Sequence, residues 1–305
     1  LIDQSLKQKK MSNIQLIVEE SAASIGNFLV GRLLPFRQKR MVGPFIFRDH
    51  MGPIGMSKRE NFDILPHPHI GLSTLTFLFE GSIMHQDSIG TKLEIKPGAV
   101  NWMTAGKGVV HSERTPEYLR NSTLKMQGLQ IWVALPKEKE LIEPQFTHIT
   151  KEEIPTWTKE NAQFKLIAGE AFGKKSPVPV FSKLFMIEIK STVKQEINIG
   201  EHLYGESGLY ILNGSIESEG NTFENKQLLI ASDSTLCAFT MNKNTTIYIF
   251  GGEPFPEERF INWNFVSSSK ERIEEAKQKW KVQEFPKIKG DSNEFVPYPT
   301  LKQKK

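Results

Sequence analysis

Four side chains in the first half of the chain have the types and spacing of a mononuclear metal site. His67-Pro68-His69 sets two imidazoles two residues apart, and His111-Ser112-Glu113 sets an imidazole and a carboxylate at the same spacing. On an extended strand, residues i and i+2 point to one face, so each pair can converge on a single ion. Pro68 fixes its own φ and stiffens the first pair. Two such strands side by side bring His67, His69, His111 and Glu113 to a common point. Three nitrogens and one oxygen suit one divalent transition metal, Fe(II), Mn(II), Ni(II), Cu(II) or Zn(II), and leave positions open for water, O₂ or substrate. Of these, Fe(II) is the expected cofactor. No cysteine lies nearby, which argues against a structural zinc knot. Glu113 is also the candidate catalytic residue, as ligand and general base. Phe62, Trp102 and Met103 are near these residues in sequence and are candidates to line an apolar substrate pocket. His50, His148 and His202 read as structural or exposed, and His85, beside charged neighbours, is expected to face solvent near the mouth of the site.

Strands must position these groups, and strand signals dominate. Leu72 to Phe79 alternates, with Leu72, Thr74, Thr76 and Leu78 on one face and Ser73, Leu75, Phe77 and Phe79 on the other. Ser82 to Gln86, Thr91 to Ile95, Val109 to Glu113 and Leu129 to Leu135 continue the series, punctuated by Asp87-Ser88-Ile89-Gly90 and Lys96-Pro97-Gly98. Short strands at this spacing predict a β-sandwich or jelly roll. The pattern recurs downstream: Leu78-Phe79-Glu80-Gly81-Ser82-Ile83 is echoed by Ile211-Leu212-Asn213-Gly214-Ser215-Ile216, which suggests a duplicated fold. One helix is expected from Ser269 to about Lys281. Ser268 and Glu271 have capping-box spacing, Ile273, Ala276 and Trp280 share a face, and Glu275 and Lys279 can pair.

At the metal-site residues the sequence resembles the pirin family. His67-Pro68-His69-Ile70-Gly71 with Glu80-Gly81-Ser82-Ile83 is similar to the first pirin motif, and the run from Trp102 to Glu113 is similar to the second. The resemblance extends from about Ile14 to Trp280 and is denser in the first half. It implies an all-β bicupin: two jelly-roll domains face to face, metal in the N-terminal one only, and a C-terminal helix. It carries the ligand role to His67, His69, His111 and Glu113. It also implies one of two activities. The first is a quercetin 2,3-dioxygenase-like cleavage of a flavonol or similar aromatic or enolic substrate by O₂. The alternative is a metal-dependent regulator that binds a protein partner, as transcriptional coregulators do, without turnover. Ser73 stands where pirins usually carry a glutamate, and Trp263-Asn264-Phe265-Val266 replaces the usual Gly-Pro-Phe-Val. The second half has one histidine, His202, and no H-x-H pair, so no metal is expected there.

Bulk properties fit two domains. At 305 residues the chain has room for two cores, and 38% hydrophobic with 24% charged residues keeps it globular. The expected division is 1–10 as a non-native or disordered extension before Met11, 11–140 as the metal-binding domain, 141–290 as the second domain, and 291–305 as a tail. A net charge of +4 is mild, and the basic runs Lys7 to Lys10 and Lys302 to Lys305 read as solvated ends, so no direct nucleic-acid binding is expected. The single cysteine, Cys237, excludes an intrachain disulfide and is expected to be an inert buried thiol. No membrane span and no signal-peptide core are visible, so a cytoplasmic monomer is expected.

Overall fold

A computed structural model describes residues 14–25, 28–231 and 238–299. Cys237 lies outside them. The alternation read from the sequence becomes two β-sandwiches, each built from a large and a small antiparallel sheet. In the first half the large sheet runs, in order, Gln145–Ile149, Val100–Thr104, Leu72–Glu80, Leu124–Ala134, Phe45–Met56, Phe28–Leu34 and Ser21–Ile25. Its small sheet is Ile64–His69, Val109–Arg114, Ile83–Asp87 and Lys92–Ile95. The second half repeats the plan around Leu184–Ser191, Glu206–Asn213 and Thr245–Gly252. The two echoed motifs are equivalent corners: each leaves a long strand of a large sheet and turns into the small sheet at a glycine, Gly81 at φ +92° and Gly214 at φ +78°. That region of φ favours glycine, so the turn explains why the residue recurs.

The large sheets face each other. Leu75, Phe77, Leu129, Ile131 and Val133 from the first pack with Leu184, Met186, Tyr210, Tyr248 and Phe250 from the second in one buried cluster. Period-two alternation then turns the other face of the first large sheet inward, toward its own small sheet, and this interior holds the site.

The sheets do not divide at residue 140. Ile14–Glu19 pairs with Gln227–Ala231 in the second large sheet, and Gln145–Ile149 pairs with Val100–Thr104 in the first. The proline and charge that rise after Ala134 mark only a connection, with a short 3-10 turn at Lys137–Lys139, before one more strand joins the first sheet. The tail is also placed otherwise than expected, because residues up to 299 fold back onto the first sandwich.

The helix spans Lys270–Lys281 and buries Ile273, Ala276 and Trp280, the face read from its spacing. Its cap is Ser269, not Ser268: the Ser269 hydroxyl accepts from the Arg272 amide, while the Ser268 amide is taken by Glu140. The helical ion pair is Lys277 with Glu274 at 2.5 Å. Glu140 is nearly inaccessible, at 3% exposure, and binds Ser267 Oγ, Arg272 and the wholly buried Arg259. It ties the hairpin Phe260–Asn262/Phe265–Ser267 and the helix to the first domain. Glu140→Ala should cost about 3–5 kcal/mol in chemical denaturation, because it removes one of the two carboxylates paired with the buried Arg259, the other being Glu257 at 3.0 Å, and the acceptor of Ser267, the Ser268 amide and Arg272.

Candidate metal centre

The two pairs meet because their strands are neighbours. Ile64–His69 and Val109–Arg114 run antiparallel, with His111 opposite His67 and Val109 opposite His69. Gly71 closes the first strand at φ +67°, where a Cβ would fall 2.0 Å from the Val266 carbonyl oxygen. Only glycine lets the closing hairpin lie this near the ligand strand.

His67, His69 and His111 form a buried cluster whose candidate ligand atoms all lie within 4.8 Å of one another. His67 Nδ1–H donates to the Leu65 carbonyl at 2.9 Å, which fixes the tautomer and leaves Nε2 as a lone pair. His69 Nδ1 and both His111 ring nitrogens are buried with no hydrogen-bond partner in the protein. Orphaned buried nitrogens are costly unless something binds them, and a soft-to-borderline cation is the partner that three neutral imidazoles suit. The donor set therefore fits a metal ion. Burial pushes His67 down to about 4, the Leu65 hydrogen bond acts against this, and the charge of His85 adds to the lowering. His69 is lowered by burial and then by the charge of His67, and His111 by burial and then by the charges of His67, His69 and His85.

Glu113 is outside the tight three-histidine group but lines the same cavity, at 4% exposure. Burial alone raises its carboxyl to about 7. These shifts set a pH dependence. In the metal-free chain each histidine contributes stability that is full above its unfolded value of 6.5 and is lost as pH falls. Glu113 runs the other way, since its ionisation costs stability as pH rises from 4.5 to about 7. A bound cation favours neutral imidazoles and an ionised carboxylate, and so relieves both penalties. The rise in Tm produced by Ni(II) or Zn(II) should therefore be larger at pH 7.5 than at pH 5, as measured by paired thermal melts.

The cavity over the histidines is about 320 Å³. Its walls are Phe47 and Trp132, stacked with ring centroids 4.0 Å apart, with Met51, Ile64, Gln130 and Arg32 around them. Arg32 holds Asp49 in a two-point salt bridge and lies over the Phe47 ring at 4.6 Å. None of the three expected pocket residues lines it. Trp102 sits opposite Leu75 on the face turned to the other domain, so strand alternation points it away from the metal centre. Met103 is on the inner face but packs with Phe47 and Trp132 as their support. Phe62 lies against Phe28 with its centroid 5.0 Å away, in the cluster that backs Met51 and Ile64.

His85 is also placed differently from expectation. It is 2% exposed, bonds Asp87 at 3.0 Å, stacks on Phe146 and stands opposite Glu113 across the sheet. Its charged neighbour is a buried partner, not a sign of solvent. His50 sits in a buried network with Glu20 and Tyr210, and His148 bonds Asn101. Ser73, at the position noted above, bonds Thr104.

Comparison with known proteins agrees with this architecture. Residues 27–133 match the family model described as Pirin, and residues 185–286 match that of the pirin C-terminal cupin domain. A pirin-like protein of Caulobacter vibrioides is 46% identical over 94% of this chain and 99% of its own length. The crystal structure of a quercetin 2,3-dioxygenase from Acinetobacter baumannii superposes with a TM-score of 0.83 at 31% identity, covering 95% of this chain and 97% of that one. An Escherichia coli pirin solved with nickel(II) shares the fold, with a TM-score of 0.61 at 16% identity over 78% of this chain and 99% of that one. Two cupin domains face to face, a three-histidine cluster in the first, and near-complete coverage by a close relative establish that this chain belongs to the pirin family.

Proposed function

We propose that this chain is a metal-dependent dioxygenase acting on a flavonol or a similar enolic or phenolic compound, in the manner of the quercetin 2,3-dioxygenases it resembles. The observation that carries the reading is the cluster of three buried imidazoles with unpartnered ring nitrogens at the floor of an aromatic-walled cavity. His67, His69 and His111 would hold the ion, and Glu113 stands beside them. Bound there, a divalent transition metal supplies Lewis-acid and redox chemistry. Fe(II) is the first candidate, and the nickel complex of a bacterial pirin makes Ni(II) the next to try. The stacked Phe47–Trp132 wall orients a planar ring against the floor. Glu113, raised to about 7 in the metal-free site, is positioned to take the proton of an enol or phenol as the substrate binds. The carboxylate is itself buried, at 4% exposure, which limits its contact with bulk water and keeps that proton transfer local.

The test is oxygen uptake with a flavonol by protein loaded in turn with iron, manganese, nickel, copper and zinc, with metal content measured in parallel. Uptake that depends on metal and stops with chelator supports the reading. A fully loaded protein inert toward flavonols and simpler phenols would shift it to a metal-dependent binding module, to be sought by pulldown with and without chelator.

A further inference from the structure

The cavity over the histidines is closed by residues from outside the first sandwich. Trp263 and Asn264 come from the turn of the closing hairpin, and Val296 comes from the irregular segment 289–299 that follows the helix. Trp263 takes φ +52° and meets Tyr298, Phe265 and Trp280 at ring-centroid distances of 5.5, 5.4 and 6.2 Å. The segment is then pinned at points beside the ligand strands. The Val296 amide donates to the Pro66 carbonyl at 2.9 Å, one residue before His67. Asp291 accepts from Ser112 Oγ at 2.7 Å, between His111 and Glu113, and from Arg114 through two nitrogens at 2.7 and 2.6 Å. Trp280 Nε1 donates to the Val296 carbonyl at 2.9 Å, and Tyr298 OH to Asn262 Oδ1 at 2.7 Å.

We propose that residues 289–299 are a strap that roofs the metal cavity and sets which ligands reach it by size. The inference takes that cavity as the binding site of the reading above, but concerns access rather than turnover. With the strap in place the cavity is about 320 Å³, at the small end of the ~300–1,000 Å³ range of ligand sites, so a ligand larger than this needs the strap to lift. The strap is suited to lifting. It has no helix or strand of its own, most of its side chains from 291 to 299 are exposed, and a few polar pins hold it. Segments with few buried contacts open locally at a fraction of the global unfolding free energy. The Asp291–Arg114 fork is the strongest of those pins, being charged and two-pronged.

Access can be read without metal or catalysis. Met51 lines the cavity at 2% exposure, so Met51→Cys in a Cys237→Ser background places one thiol there. Its labelling rate is measured with a small reagent, methyl methanethiosulfonate, and a bulky one, fluorescein maleimide. Asp291→Asn, alone and with Tyr298→Phe, should raise the bulky-reagent rate about tenfold or more while the small-reagent rate changes by less than about threefold, as expected when a local gate is loosened. Unchanged rates for both reagents, or a parallel rise in both, would overturn the strap as a size gate. Neither result bears on whether a metal or a flavonol is used, which the oxygen-uptake measurement decides separately.

Discussion

His69→Ala is expected to leave a folded chain that no longer retains a metal, where the parent holds about one per chain. His69 is 1% exposed, lies edge-on to Trp132 at 5.1 Å, and presents an orphaned Nδ1 in the interior. Without it two imidazoles remain at the floor, with Glu113 off to one side. Affinity should fall by more than the ~10–100-fold that loss of an outer-sphere partner costs, because a direct donor is removed. The metal-free stabilities should move differently. A buried nitrogen without a partner costs about 1–3 kcal/mol, and deleting the ring removes that cost along with its packing. Metal-free Tm should therefore change little, while the Tm rise on adding metal should vanish. Elemental analysis after gel filtration, paired with melts, reads both. A variant that retains the parent's metal content would remove His69 from the ligand set.

What was legible in the sequence follows from what is local. The two-residue spacing of His67 and His69, and of His111 and Glu113, survives because strand alternation is a local rule, and strand pairing then brought the histidines together. Glu113 arrived in the cavity by the same alternation but not within the tight group: an extra residue in the facing strand shifts the register after the His111–His67 pair, so Glu113 stands opposite Ile64 rather than Leu65. Gly81 and Gly214 marked the duplication because both corners need left-handed φ. Nearness in sequence misled at Trp102, whose neighbours on the strand face opposite ways. Gln130 and Trp132 had a local signal, a polar residue and an indole on one face of Leu124–Ala134, and sit in the cavity wall for that reason. The strap had none. Its pins join Asp291 to Arg114 and Val296 to Pro66 across most of the chain, and irregular backbone carries no periodicity to read.

Glu113→Gln should separate the carboxylate's proton chemistry from its place near the metal. The substitution keeps size and one oxygen donor and removes the basic group. With the three histidines clustered and Glu113 apart from them, metal content should fall little when metal is supplied in excess. Turnover should fall by about 10²–10⁴-fold at full metal loading, the usual loss for a general base. The decrease should appear in kcat more than in KM, since the Phe47–Trp132 wall that would hold the substrate ring under the proposed function is untouched. A pH profile adds a second readout. In the parent, activity should rise with pH as Glu113 ionises, with a limb at or below about 7, because a bound cation's charge pulls the carboxyl down from its metal-free position. In Glu113→Gln that limb should be gone and the residual rate flat across it. A fully loaded variant with parental kcat and an unchanged acidic limb would exclude Glu113 as the base. A variant that loses metal in step with activity, and regains both with excess metal, would make the residue a ligand alone.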